Sequence, residues 1–185
     1  MPDALLERRR HRLPSPVDGS GPVLIVFAGP PCSGKSTLAA EVARLRGLPH
    51  LSMDGTRQRL LPGASHTRAD RQVAYRGMHF AAELLLAAGA GAVLDATYDQ
   101  PEDREELARI AGAQCKLIEC HVEPDTAAAR LRARGLNDPA RPDLTEERVW
   151  RMASDYLYSG AGLALDTTVM TPEACLARIA EYLNQ

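Results

Sequence analysis

Lysine is almost missing from this chain. Of 22 basic residues among 185, only Lys35 and Lys116 are lysine, so a lysine in a special context stands out. An excess of positive charge is missing too. The formal net charge is −2, whereas a protein that grips a long phosphate backbone is ordinarily strongly basic; this speaks against nucleic acid as the main partner. No stretch approaches the roughly 18 consecutive apolar residues of a spanning helix. The opening "MPDALLERRRHRLPSPVDGSGP" places basic residues before no apolar core, so it reads as neither a secretory nor a twin-arginine signal. Its Pro, Gly and Ser content suggests a flexible arm over residues 1–21. The four cysteines, Cys32, Cys115, Cys120 and Cys175, form no C-x-x-C pair and have no zinc spacing. They read as free thiols of a reducing, cytoplasmic compartment, with Cys115 and Cys120 buried in an apolar run. Internal repeats and a second domain are likewise absent, which leaves one domain over 22–185.

What is present is an alternation. Val23 to Ala28 is a short, continuous, β-branched run with a Gly/Pro break behind it, the pattern of a buried strand. Ser36 to Leu45 carries Leu38, Val42 and Leu45 on one helical face. "LPHLSM" reads as a second strand ending at Asp54, Arg68 to Ala88 as a long helix, and Ala92 to Leu94 as a third strand ending at Asp95. Pro101 and Pro124 open further helices at a favoured first position, with the strand "CKLIECHV" between them. A Pro-rich loop, "LNDPARPD", leads to a helix over Thr145 to Tyr158, a strand "LALDTT" and a last helix over Pro172 to Leu183. Strands alternating with helices predict an α/β fold with a parallel sheet covered on both faces. In such sheets the site lies at the carboxyl ends of the strands.

Three features fall at those ends. The first is Gly29-Pro30-Pro31-Cys32-Ser33-Gly34-Lys35-Ser36, followed by Thr37. It matches the phosphate-loop pattern G-x-x-x-x-G-K-[ST], and it follows a strand and opens a helix as that loop requires. Glycines let the loop wrap so that successive N–H groups face phosphate oxygens, and the helix N-terminus adds positive potential. Lys35 brings a full charge to the outer phosphates, and the Ser36 hydroxyl is placed to ligate Mg2+. The second feature is Asp54. It reads either as a general base taking the proton of an attacking hydroxyl or as a helix N-cap; Arg57 would share its side of a helical turn and could hold a polar substrate group. The third is Asp95, read either as an organiser of Mg2+ through water or of the acceptor, or as a loop cap. Thr97, Tyr98, Asp99 and Arg104 follow in a substrate-side loop. Arg130, Arg132, Arg134 and Arg141 bracket the Pro-rich loop, either as a solvated face or as charges closing over phosphates. His66, His79 and His121 have no partner spacing and read as structural, and Trp150, Tyr156 and Tyr158 as packing residues.

The combination of the loop with D-x-x-R (Asp54, Arg57), "LDAT" (Asp95 to Thr97) and R-x-x-x-R-G (Arg130, Arg134, Gly135) resembles a group of P-loop kinases. That group includes bacteriophage polynucleotide 5′-kinase, chloramphenicol phosphotransferase and zeta-toxin-like sugar-nucleotide kinases. The resemblance runs from about Val23 to Leu183. It implies a three-layer fold with a five-stranded parallel sheet of order 2-3-1-4-5 and a helical lid over about 130–148. It implies Asp54 as general base, Arg57 as substrate-orienting, Asp95 and Thr97 on the acceptor side, Arg134 on the transferring phosphate and Arg130 near the nucleotide. It places the adenine pocket near Asp166 to Thr168. The leading expectation is therefore a kinase using ATP, or GTP, with Mg2+ to phosphorylate a hydroxyl of a small molecule of antibiotic, nucleoside or sugar type. A polynucleotide 5′-hydroxyl kinase and a regulatory ATPase are the alternatives.

Overall fold

Each apolar run of the sequence becomes a strand of one sheet, and each amphipathic stretch a helix against it. The computed structural model describes residues 21–63, 67–111, 115–135 and 144–185. The expectations for the N-terminal arm before Gly21, His66, Arg141 and the whole Pro-rich loop lie outside them. In chain order the elements are β1 (Leu24–Ala28), α1 (Lys35–Arg46), β2 (His50–Ser52), α2 (Met53–Leu60), α3 (Arg68–Ala87), β3 (Ala92–Asp95), α4 (Pro101–Ala111), β4 (Cys115–His121), α5 (Pro124–Arg134), α6 (Glu146–Ser154), β5 (Leu163–Asp166) and α7 (Pro172–Leu183). All strand pairs are parallel and the order is β2-β3-β1-β4-β5, as the resemblance implied.

The central strand β1 is buried along its whole length, which explains its unbroken apolar run. Its alternate residues serve two cores. Leu24, Val26 and Ala28 pack with Tyr75, Met78, Leu94 and Leu107 toward α3 and α4. Ile25 and Phe27 pack with Leu38, Val42, Ile118 and Ile179 toward α1 and α7. Burying each large side chain of this set contributes about 1.5–3 kcal/mol. A third cluster joins Cys32 of the phosphate loop to Leu131 of α5 and Val149 of α6. Among the described residues no helix is long and apolar enough to cross a membrane.

Two expectations about helices are corrected. The sequence left only a possible turn after Asp54, but α2 begins already at Met53. Ser52 is its N-cap, accepting a hydrogen bond from the Gly55 N–H at 3.1 Å, so Asp54 lies in the first turn and the N-cap reading of it falls away. The helix expected to run to Tyr158 ends at Ser154. Tyr156 and Tyr158 belong to the loop that follows, where Tyr158 stacks on His121 with centroids 3.7 Å apart.

That loop is tied down by a buried carboxylate. Glu119 of β4, 1% exposed, accepts the backbone N–H groups of Ser159 at 2.8 Å and Gly160 at 2.9 Å. Glu119→Ala removes the shared acceptor of two backbone N–H groups of an exposed loop, so a loss of about 1–3 kcal/mol is expected in urea unfolding. A loss under a few tenths would show that the loop is held otherwise.

Candidate active site

The phosphate loop takes its shape from close approaches. A Cβ on Gly29 would meet the Cys120 carbonyl oxygen at 2.6 Å, and Gly34 adopts φ +83 as the cap of α1; both positions need glycine. The loop is also braced from outside. The Thr167 hydroxyl donates to the Ser33 carbonyl at 2.9 Å. Arg130 donates to the Cys32 carbonyl at 3.2 Å and to Thr167 Oγ1 at 3.1 Å. Its guanidinium therefore links α5, the phosphate loop and the turn after β5. Lys35 Nζ reaches the Pro30 carbonyl at 3.5 Å across the loop.

In front of the loop lies a cavity of about 350 Å3. Pro31, Cys32, Gly34, Lys35, Ser36 and Thr37 form its floor. Asp54 and Ser52 stand on one wall, Asp95 and Thr97 on another, and Arg134 with Gly135 at the end of α5 on a third. The sequence assigned Lys35, Asp54, Asp95 and Arg134 separately; one cavity brings them together because β1, β2 and β3 end side by side. Asp95 is 5% exposed. Its burial works to raise the carboxyl pKa, but His50, Lys35 and Ser36 outweigh that and hold it below the usual value. His50 Nε2 stands 3.8 Å from Asp95 Oδ2, while Oδ1 is buried and makes no hydrogen bond among the described residues. A buried acceptor oxygen beside the Ser36 side chain and the phosphate loop fits a cation carried in with phosphates.

A second, polar cavity of about 250 Å3 lies between α3, the start of α4 and α6. It is lined by Arg68, Arg71, Gln72, Tyr75, Gln100, Glu102, Asp103 and Arg148. Thr97 joins it to the first. Arg71 donates to Thr97 Oγ1 at 2.9 Å and pairs with Asp99 at 2.8 Å. The Thr97 hydroxyl spends its own proton on Asp99 Oδ1 at 2.9 Å. The Tyr75 hydroxyl, 3.2 Å from Thr97 Oγ1, is then the donor of that pair, and it accepts the Tyr98 N–H at 2.9 Å. Thr97 is thus fixed by three neighbours at the junction of the cavities.

Burial pushes the Asp103 carboxyl up to about 6, and the nearby Asp99 adds to it. The folded state therefore holds this proton more tightly than the unfolded chain. Its contribution to stability is full below the ordinary value of 3.8 and is lost as pH rises through about 6. Asp103→Asn removes the penalty, so the variant is expected to exceed the parent at pH 7 by on the order of 1 kcal/mol after solvent screening. The gap should vanish near pH 4. A constant gap between the two melting curves would contradict the assignment.

Several expected site residues are placed elsewhere. Tyr98 adopts φ +50, which turns its ring into the core, where its hydroxyl meets His79 Nε2 at 3.2 Å. Arg104 spends its guanidinium on the Tyr98 and Leu157 carbonyls, both at 2.6 Å, and lines neither cavity. Arg57 is buried at 3% exposure behind Asp54, with Nε 3.8 Å from its carboxylate. Thr168 accepts the Glu123 N–H at 2.8 Å. Its neighbour Thr167 instead lines a smaller cavity of about 190 Å3 with Gly34, Thr37, Arg130 and Arg134. Arg71 and Tyr75 fall within the stretch between Arg57 and Arg76 expected to shape the acceptor pocket, and Thr167 within the Asp166 to Thr168 expected near the adenine, without being singled out. His50 lies outside every expectation of the site, and each of the four lacks a local motif and gains its place through the topology.

A parallel sheet of this order with this loop between β1 and α1 defines the class: the fold is that of the P-loop small kinases. Within it, the chain belongs to the AAA domain family, which it matches over residues 24–179. It is 32% identical over 146 residues to an uncharacterized protein of Mycobacterium tuberculosis, a match covering 70% of this chain and 29% of that one. The chain thus spans less than a third of the length of that curated relative. An adenylyl-sulfate kinase of Synechococcus sp. is 32% identical over 130 residues, covering 67% of this chain and 73% of the relative. Among solved structures, the APS kinase of Mycobacterium tuberculosis in complex with AMPPNP and APS superposes with a TM-score of 0.67 at 23% identity. That match covers 89% of this chain and 99% of the other, and it speaks for the fold.

Proposed function

We propose that this protein is a phosphotransferase that moves the γ-phosphate of ATP, or GTP, to a hydroxyl of a small molecule of antibiotic, nucleoside or sugar type. The observation that carries this reading is one cavity shared by Lys35 on its floor, Asp54 on one wall and Arg134 on another. The triphosphate lies on the loop amides and the α1 N-terminus, with Lys35 against the outer phosphates. The base of the nucleotide takes the smaller cavity beside Thr167 and Arg130. Ser36 and Asp95 would hold Mg2+, which when bound neutralises charge between the β- and γ-phosphates.

The acceptor enters from the polar cavity of α3 and α4, with Arg71 and Thr97 ordering its substituents at the junction. Asp54 accepts the proton of the attacking hydroxyl as its oxygen approaches the γ-phosphorus. Lys35 and Arg134 offset the charge that develops on the γ-phosphate oxygens. Arg57 holds Asp54 from behind. Residues about 130–148 serve as the lid of a single domain over 22–185. The free cysteines suit a cytoplasmic setting. Burial pushes the Cys115 and Cys120 thiols up to about 11 and about 12, so both stay protonated and inert.

An acceptor panel read by ADP release tests the proposal. Sugars, nucleosides, aminocyclitols and a 5′-hydroxyl oligonucleotide are compared with buffer. Acceleration by one small-molecule class supports it. Salt-sensitive labelling of the oligonucleotide alone, or release indifferent to every acceptor, contradicts it.

A further inference from the structure

Helix α3 turns one face toward the acceptor cavity, and among the described residues nothing covers the opposite face. Along that outer face Val73, Phe80 and Leu84 are 43, 60 and 55% exposed, and Leu60 of α2 beside them is 51% exposed. Residues four and seven apart share a helix face, so these side chains form one stripe. Single exposed apolar residues need no explanation, but a contiguous stripe marks a site of association. Arg76 and Glu83, both exposed, run along one edge of it. Leu60 borders the other, lying over Gly77 so closely that an added Cβ there would meet Leu60 Cδ1 at 2.6 Å.

The order of these residues is self-complementary. Val73 and Leu84 stand equally far from the point between Met78 and His79, and so do Gly77 and Phe80. When a second α3 is laid antiparallel across the first about that point, Val73 meets the second copy's Leu84. Each Phe80 meets the level where the other Gly77 has no side chain and Leu60 forms the wall. A two-fold axis across antiparallel helices also brings like edges together. Arg76 then falls beside the second copy's Glu83, offset by about 3 Å along the axis, and the pair forms twice. A parallel arrangement would set the Arg76–Glu83 edge against Leu60 instead.

We propose that the protein forms a two-fold symmetric homodimer through the outer face of α3, with the two helices antiparallel. A patch that complements itself is what an isologous interface requires. Arg71 and Tyr75 lie on the opposite face of α3, so both acceptor cavities stay open in the dimer. The proposal stands independently of the kinase reading.

Sedimentation equilibrium of the full chain over the micromolar range tests it. The parent is expected at twice the 20.0 kDa chain mass, and Phe80→Glu at the mass of one chain. Phe80 is exposed in the monomer, so circular dichroism of that variant should match the parent. Arg76→Glu and Glu83→Arg should each weaken the dimer about tenfold or more, and the double reversal should restore it. A parent that stays monomeric, including one whose stripe captures a different protein, overturns the proposal. So does a dimer untouched by Phe80→Glu, or a double reversal no tighter than the single ones.

Discussion

Asp54→Asn is expected to bind ATP as the parent does and to transfer phosphate about 10²–10⁴-fold more slowly. The amide keeps the size and planarity of the carboxylate but cannot accept the acceptor's proton. The local frame should survive, because α2 is capped by Ser52 rather than by Asp54. What the helix loses is a favourable carboxylate in its first turn, worth about 0.3–1 kcal/mol. Single-turnover transfer, with nucleotide affinity measured separately, divides the chemistry from the binding. A variant with near-normal turnover removes Asp54 as the base, and one that loses ATP binding assigns it to the nucleotide instead.

Lys35→Ala is expected to lose the stabilisation that ATP–Mg2+ confers. Ligand at a hundredfold its Kd adds about 2.7 kcal/mol to the folded state, which in a domain of this size raises Tm by about 5–10 °C. Most of that rise should vanish without Lys35, because its ammonium is the full positive charge on the cavity floor. Adenosine gains nothing from the lysine, so its weaker effect should be unchanged. An equal Tm rise in parent and variant with ATP would contradict a triphosphate on this loop.

The legibility of the sequence followed the range of the interactions involved. The phosphate loop was readable because its pattern is contiguous: Gly34 is demanded by its own φ of +83 at the start of α1, while at Gly29 the Cys120 carbonyl of β4 adds a distant constraint to the same short motif. The sheet order was legible through the resemblance, and alternation alone predicted a parallel α/β architecture. Tyr98 was misread because proximity in sequence to Asp95 and Thr97 says nothing about a backbone turn at φ +50. Arg104 looked like a substrate ligand, yet two carbonyls, one of them 53 residues distant, claim its guanidinium. The α6 pattern continued apolar past Ser154, but Glu119 draws the chain into a loop. His50 and Arg71 carry no motif. Their places beside Asp95 and Thr97 come from β2 pairing with β3 and from α3 crossing above the loop after β3, neither of which a linear pattern encodes.

Phosphorus NMR of the reaction tests the kinase reading most directly. ATP–Mg2+ is incubated with the acceptor class that accelerates ADP release, with the parent and with Asp54→Asn. ADP is expected to grow in step with a phosphomonoester resonance coupled to a carbon-bound proton of the acceptor, and both are expected to be lost in Asp54→Asn. ADP accompanied only by inorganic phosphate, whatever acceptor is present, would contradict it.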